Sequence, residues 1–363
     1  MKKFSNKSKE NILIFCPSIE EGGVEKNLIN VSNYLSNYFK VTLLTANKDK
    51  IKYFKSKIKF IAPSSNFFNK KKRILKSFIC LYLFFINIKS KKFSILSFQS
   101  NIFAIILAIF CRKKIIIRSN TSPHFYAKNI FKRVLFSFFF RYADKIVVNS
   151  EEFKKEFFKY FNVLPIRIYN PIEAQSIIKK KMNIKKRQVI YTKKDSLKVL
   201  TIGRLVKQKD HMTILKAINL IKHERKLELL IIGKGSEKNN LNNYIKENSL
   251  DNYVKIIDYQ NNIYPYLSKS DLFVLSSLYE GLPNVLIEAL SSGVKIISSN
   301  CKSGPREILK QGKLGRLFKI GDYKELAKLI SKTKIPYKKK PIRDKRFDFH
   351  SNLSEYKKLL LSL

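Results

Sequence analysis

Two glutamates eight positions apart, Glu280 and Glu288, bracket a Gly-x-Pro-Asn segment in the run Glu280-Gly281-Leu282-Pro283-Asn284-Val285-Leu286-Ile287-Glu288-Ala289. An apolar run, Leu272-Phe273-Val274-Leu275, precedes it and ends in Ser276-Ser277. A short helical pattern follows Pro283, then Gly293 and a second apolar run from Val294. The order strand, loop, helix, strand predicts a βαβ unit whose polar loop lies at the carboxyl end of a strand, where open α/β sheets bind ligands. Pro283 and Asn284 suit a helix start. The N–H groups of Asn284, Val285 and Leu286 would then offer an anion unpaired donors and the positive dipole end. Glu280 in the loop and Glu288 one turn into the helix are acceptors able to hold hydroxyls. A phosphate flanked by polyhydroxylated groups describes a nucleotide sugar. The competing reading is a helix with two exposed acids.

Other segments carry the same chemistry. Gly203-Arg204-Leu205-Val206-Lys207-Gln208-Lys209-Asp210 follows an apolar run and places two cations, Arg204 and Lys209, five positions apart. Fixed cations would stabilise the charge left on a diphosphate when a sugar–phosphate bond breaks. Gly22-Gly23 follows the first apolar run and opens a helical pattern that includes Glu25; two glycines permit close backbone approach to a ligand. A plain strand-to-helix turn is the competing reading. Gly233-Lys234-Gly235 and Tyr259-Gln260 end two further runs, and Tyr259 either stacks on a base or simply packs.

The block from Glu280 to Ala289 resembles the E-x7-E signature of glycosyltransferase family 4. The segments at Gly22-Gly23, Gly203-Arg204-Leu205, Gly233-Lys234-Gly235 and Ile168-Tyr169-Asn170-Pro171-Ile172 are similar to that family's other motifs, in the family's order. The resemblance implies a GT-B α/β architecture: two Rossmann-like, doubly wound parallel-sheet domains facing across a cleft. It also implies a retaining sugar transfer without a metal or other cofactor. Arg204 and Lys209 would bind the donor diphosphate, Glu288 the ribose and Glu280 the transferred sugar. Ser303-Gly304-Pro305-Arg306-Glu307-Ile308 resembles a segment of members that build bacterial surface polysaccharides with hexose or N-acetylhexosamine. The departure lies in the first half. Where many members place a histidine, this chain reads Arg118-Ser119-Asn120-Thr121-Ser122-Pro123-His124, so Asn120 takes its place and His124 follows four residues later.

Positioning these groups requires repeated βα units. Apolar strand-like runs at residues 11–16, 40–46, 58–61, 94–98, 114–118 and 145–149 alternate with helical patterns at 24–38, 75–89, 102–110 and 130–142. A second series runs at 197–202, 227–232, 254–258, 272–275 and 294–298. Such alternation predicts parallel, doubly wound sheets. The expected organisation is a first, acceptor-binding domain over 1–178, a linker over 179–196 and a nucleotide-sugar domain over 197–346. A final helix over 347–363 should cross back to the first domain.

At 363 residues and 45% hydrophobic, the chain suits two such domains. Four scattered cysteines, without a C-x-x-C pair, imply neither a zinc site nor a disulfide framework and fit a reducing compartment. The apolar runs at 78–88 and 102–111 are too short to span a bilayer. The net charge of +46 admits three readings: codon bias, attachment to an anionic membrane surface, and nucleic-acid binding. Basic residues interleave with large apolar ones at 69–75 and 131–136, which suits a membrane surface or ordinary amphipathic helices. Nucleic acid ranks last, since no such motif appears. The absence of D-x-D argues against a metal-dependent transferase. The resulting expectation is a cytoplasmic enzyme, peripheral on the inner face of the membrane, that takes a UDP-linked sugar and a lipid-linked or polysaccharide acceptor. The alternatives are a nucleotide-sugar-binding protein without turnover and a basic nucleic-acid-binding α/β protein.

Overall fold

A computed structural model describes residues 10–19, 22–88, 92–127, 129–172, 191–335 and 340–363. Glu20, Glu21 and residues 179–190 of the expected linker lie outside them. The chain divides into two units, one of Met1–Pro171 with Phe349–Leu363 and one of Ile172–Asp348.

In the first unit the strands are β1 (Asn11–Phe15), β2 (Lys40–Leu44), β3 (Lys59–Ile61), β4 (Ser94–Ser97), β5 (Ile115–Ser119), β6 (Lys145–Val148) and β7 (Ile166–Arg167). The helices are α1 (Gly23–Leu35), α2 (Arg73–Asn87), α3 (Asn101–Cys111), α4 (Pro123–Ala127), α5 (Ile130–Phe140) and α6 (Glu151–Phe161). The strands form one parallel sheet in the order β3-β2-β1-β4-β5-β6-β7. Strand runs rich in Ile, Leu and Val are continuous rather than alternating because both sheet faces are covered. Leu13, Phe15, Ile95, Ile115 and Ile117 pack under α2, α3, α5 and α6. Ile12, Ile14, Leu43 and Val147 pack on the other face with α1 and the final helix.

In the second unit the strands are β8 (Leu197–Ile202), β9 (Leu227–Ile232), β10 (Val254–Ile257), β11 (Leu272–Leu275), β12 (Lys295–Ser299) and β13 (Arg316–Phe318). The helices are α7 (His211–Ile221), α8 (Lys238–Glu247), α9 (Tyr264–Lys269), α10 (Asn284–Ser292), α11 (Pro305–Ile308) and α12 (Tyr323–Ser331). The last helix of the chain, α13 (Phe349–Leu361), belongs to the first unit. The second sheet is also parallel, in the order β10-β9-β8-β11-β12-β13. From β8 the chain winds one way to β10, then returns and winds the other way through β11 to β13. The reversal, between β8 and β11, is the place where a doubly wound sheet opens a crevice at its carboxyl edge. In the first sheet the same reversal lies between β1 and β4.

Candidate functional site

Strands β8 and β9 run in register to their ends, Ile202 beside Ile232, and each is followed at once by glycine. A Cβ on Gly233 would lie 1.9 Å from the Gly203 carbonyl oxygen, and one on Gly235 2.3 Å from that of Leu205. The two loops are strapped together by Leu205 N–H to Lys234 O (2.9 Å) and Glu237 N–H to Leu205 O (2.8 Å). Side-chain-bearing residues would force them apart. The glycines thus fix the floor from which Arg204 and Lys209 rise.

The loop after β8 is sewn across the reversal to the loop after β11. The Ser276 hydroxyl donates to the carbonyls of Lys209 (2.9 Å) and Asp210 (2.8 Å) as alternatives. Leu278 N–H donates to Gln208 O (2.9 Å), and the Gln208 amide donates to Tyr279 O (2.9 Å). Lys209 Nζ is ion-paired with Glu280 Oε1, and both side chains are largely buried. The same carboxylate oxygen accepts from the Ser277 hydroxyl (2.7 Å). From the third side, Ser303 Oγ donates to the Glu280 carbonyl. Gly304, at φ 82°, comes so close that a Cβ would meet Gly281 O at 2.2 Å. Glu280 is therefore a buried carboxylate whose position is set by three loops, with its charge balanced by Lys209.

Helix α10 starts beyond this loop, with Pro283 at its N-cap and no side-chain cap. The Leu286 N–H, expected from the sequence to be unpaired, instead donates to Pro283 O (3.0 Å), which closes the first turn on itself and leaves the helix dipole rather than three open N–H groups facing the loop. Glu288, on the buried side of α10, accepts from the Tyr264 hydroxyl at 3.4 Å. Arg204 is exposed and reaches Gln208 Oε1 at 3.3 Å. Tyr259, after β10 at the sheet edge, is 38% exposed, with Lys234 Nζ 5.7 Å from its ring centroid. The second unit thus gathers Gly203, Arg204, Lys209, Glu280 to Leu286, and Glu288 around the β8–β11 reversal, while Tyr259 stands two strands away.

Sequence reasoning gave no role to the supporting groups Ser276, Ser277, Ser303, Tyr264 and His211. His211 opens α7 beside Lys209 and is buried; loss of solvent, then the Lys209 charge, pull its imidazole down to about 3. It is neutral at physiological pH. Asp210, in a left-handed conformation at φ 46°, caps the same helix through Thr213.

The first unit places its candidates differently. Gly22 is extended and N-caps α1, and a Cβ there would meet Glu25 Oε2 at 3.1 Å. Asn120 is engaged at both ends: Oδ1 accepts from Arg118 Nε (2.8 Å) and Nδ2 donates to Phe98 O (3.0 Å). His124 is exposed on α4, 3.4 Å from the Tyr160 hydroxyl, in a different set of contacts from Asn120. Arg118 is fully buried; it donates to the Tyr356 hydroxyl of α13 and to Asn170 Oδ1, and burial pulls its guanidinium down to about 9. Among the described residues no cluster of three His, Cys, Asp or Glu is placed to hold a metal.

Two parallel-sheet Rossmann-like units with this site define the GT-B class of glycosyltransferase. Residues 182–340 match the family description "Glycosyl transferases group 1", and residues 21–176 match "Glycosyltransferase Family 4". Over 328 residues, 85% of each chain, the protein is 30% identical to the N-acetylgalactosamine-N,N'-diacetylbacillosaminyl-diphospho-undecaprenol 4-alpha-N-acetylgalactosaminyltransferase of Campylobacter jejuni. A glycosyltransferase of Methanocaldococcus jannaschii is 32% identical over 194 residues, 51% of this chain and 47% of that one. The Anabaena HepE structure with UDP and glucose superposes with a TM-score of 0.72 at 18% identity, covering 98% of this chain and 100% of that one. The chain belongs to glycosyltransferase family 4 and is a sugar-transferring enzyme.

Proposed function

We propose that the chain moves a hexose or N-acetylhexosamine from a UDP-linked donor to a lipid-linked saccharide in surface-polysaccharide assembly, with retention at the sugar carbon. The observation that carries this is the Lys209–Glu280 pair, held at the sheet reversal beside the start of α10. It sets a cation for phosphate and a fixed acceptor for sugar hydroxyls side by side. The C. jejuni relative, named for a diphospho-undecaprenol acceptor, supports the acceptor class. The Anabaena neighbour, crystallised with UDP and glucose, supports the donor class.

In this reading Arg204, Lys209 and the positive dipole end of α10 stabilise the β-phosphate as the glycosidic bond to it breaks. Placing such donors in advance, out of bulk water, is the largest electrostatic contribution available to the reaction. Glu280 orients the transferred sugar, Glu288 the ribose, and Tyr259 lies against the base. The acceptor is received by the first unit, with Gly22 and Gly23 at its β1 loop. The leaving phosphate assists removal of the acceptor hydroxyl proton on the same face, and the two cations serve in place of a metal.

Calorimetric titration of UDP, GDP and ADP into the wild type, Arg204→Ala and Glu288→Ala tests the donor site. Micromolar binding of UDP alone, weakened by both substitutions, is expected. A folded wild type that binds no nucleotide would overturn the assignment. Turnover unchanged by a chelator tests the metal-free route.

A further inference from the structure

From Lys50 to Ala143 the chain carries 21 Lys and Arg and no Asp or Glu. The fold gathers the apolar part of this stretch on one side of the first unit. Helices α2, α3 and α5 coat the same sheet face, anchored by Cys80, Phe84, Ala104, Leu107 and Phe140. α3 packs between α2 and α5. Ring pairs Phe78–Phe103 (5.1 Å) and Phe85–Phe110 (5.5 Å) join α2 to α3.

The sides of these helices turned away from the core are apolar too. Phe131 is 81% exposed, Phe110 74% and Tyr82 66%, with Ile74, Ile109 and Val134 also exposed. α3 holds no charged residue in eleven positions. A helix apolar on every side is ordinarily covered on every side. Large apolar side chains contiguous over three neighbouring helices mark an interaction surface. No described helix is long and apolar enough to cross a membrane, and eleven residues rise only about 16 Å. Flanking α3, helices α2 and α5 set basic residues beside exposed apolar ones and can lie in a bilayer interface rather than through it.

We propose that the outer face of α2, α3 and α5 seats on an anionic lipid bilayer. The aromatic and aliphatic side chains enter the headgroup region, and exposed Lys72, Arg112, Lys132 and Arg141 meet lipid phosphates. The charge pattern selects this occupant. A second copy would bring an equally acid-free face against this one, and like charges would oppose the contact. Nucleic acid offers phosphates but gives Ile106, Ile109, Val134 and Leu135 nothing apolar to enter. The inference stands on the first unit alone and is independent of the donor assignment.

The chain has no tryptophan, so a single introduced one reports its own surroundings. Phe131→Trp on α5 and Leu220→Trp on α7 are compared on phosphatidylcholine vesicles with and without phosphatidylglycerol. The proposal expects co-sedimentation with anionic vesicles, and blue-shifted emission quenched by brominated lipid for Phe131→Trp only. Phe110→Ser, Phe131→Ser and Phe138→Ser combined should lower the partition coefficient more than tenfold while the thermal midpoint stays close to that of the wild type. Charge reversal at Lys72, Lys132 and Arg141, all exposed, should also lower it, and serves if the triple serine variant fails to fold. Absence of vesicle binding at low salt, an equal response at both tryptophans, or binding indifferent to the serines would each overturn the proposal. So would a Phe131→Trp response to duplex DNA, or to dimerisation, without one to vesicles.

Discussion

The two units share one architecture and differ in what they leave exposed. Among the described residues, 22 large apolar side chains are exposed in the first unit and five in the second. Their sheet edges differ in the opposite sense. The second unit places a buried ion pair and four bonded loop contacts at its reversal; the first places amides and a buried Arg118 at its carboxyl edge. One unit holds a buried, charge-balanced carboxylate in a fixed frame of loops. The other has an ordinary edge and an unusual coat. The same winding of strands therefore serves different ends, and the difference lies in loop hydroxyls and outward helix faces.

The largest expected effect comes from removing the cation at the second reversal. Lys209→Met should lower kcat by 10²–10³, about 3–4 kcal/mol of transition-state stabilisation, and leave Glu280 buried without its partner. Lys72→Met in the first unit should change kcat on a soluble acceptor less than threefold. Equal losses would break the comparison, and a steady-state assay decides. Next, Gly233→Ala should destabilise the protein by about 2–3 kcal/mol, because the new methyl meets a backbone carbonyl that cannot turn aside. Gly22→Ala, meeting only the end of the Glu25 side chain, should cost much less. Urea unfolding of both variants measures the contrast.

A more gradual effect, spread over several pH units and absent at neutral pH, follows from His211. Its imidazole is held near 3, against about 6.5 in the unfolded chain, so the unfolded state binds the extra proton between those values. Stability is complete above pH 6.5 and falls by up to about 1.4 kcal/mol per pH unit as the pH drops towards 3. His211→Gln should flatten that slope, as read from denaturant midpoints between pH 7 and pH 4. Smallest, Tyr259→Ala should weaken UDP binding by about 1 kcal/mol, because the exposed ring supplies stacking alone. A calorimetric change indistinguishable from zero would remove Tyr259 from the donor site.

Much of this was legible in the chain. The long strands were readable because covering both sheet faces demands unbroken apolar runs, and residues 229–232 or 115–117 satisfy little else. The glycines at 233 and 235 stood out as a turn at a strand end, and in the fold no side chain fits there because each backs onto the backbone of the loop after β8, whereas at Gly203 a Cβ would meet only ordinary contacts. β7 and β13, at two and three residues, carry no run to recognise. Ser277 and Ser303 were hidden for another reason. Serine is common at strand ends, and only the meeting of three loops turns these two into the frame of Glu280. Tyr356 was the least visible, since its partner Arg118 lies 238 positions earlier and neither residue points to the other in sequence.

The membership of α13 has a consequence for how the protein is made. Residues 349–361 complete the first unit, yet the whole of the second separates them from Pro171. On the ribosome the first sheet is finished early, while Leu353, Tyr356 and Leu360, which seal one of its faces, emerge only after residues 172–348. Arg118 meanwhile waits without the hydroxyl that accepts its hydrogen bond. The second unit can close as soon as it is translated, whereas the first must remain open on one side until it has been. A nascent chain halted near Asp348 would therefore expose apolar surface on the half that was synthesised first.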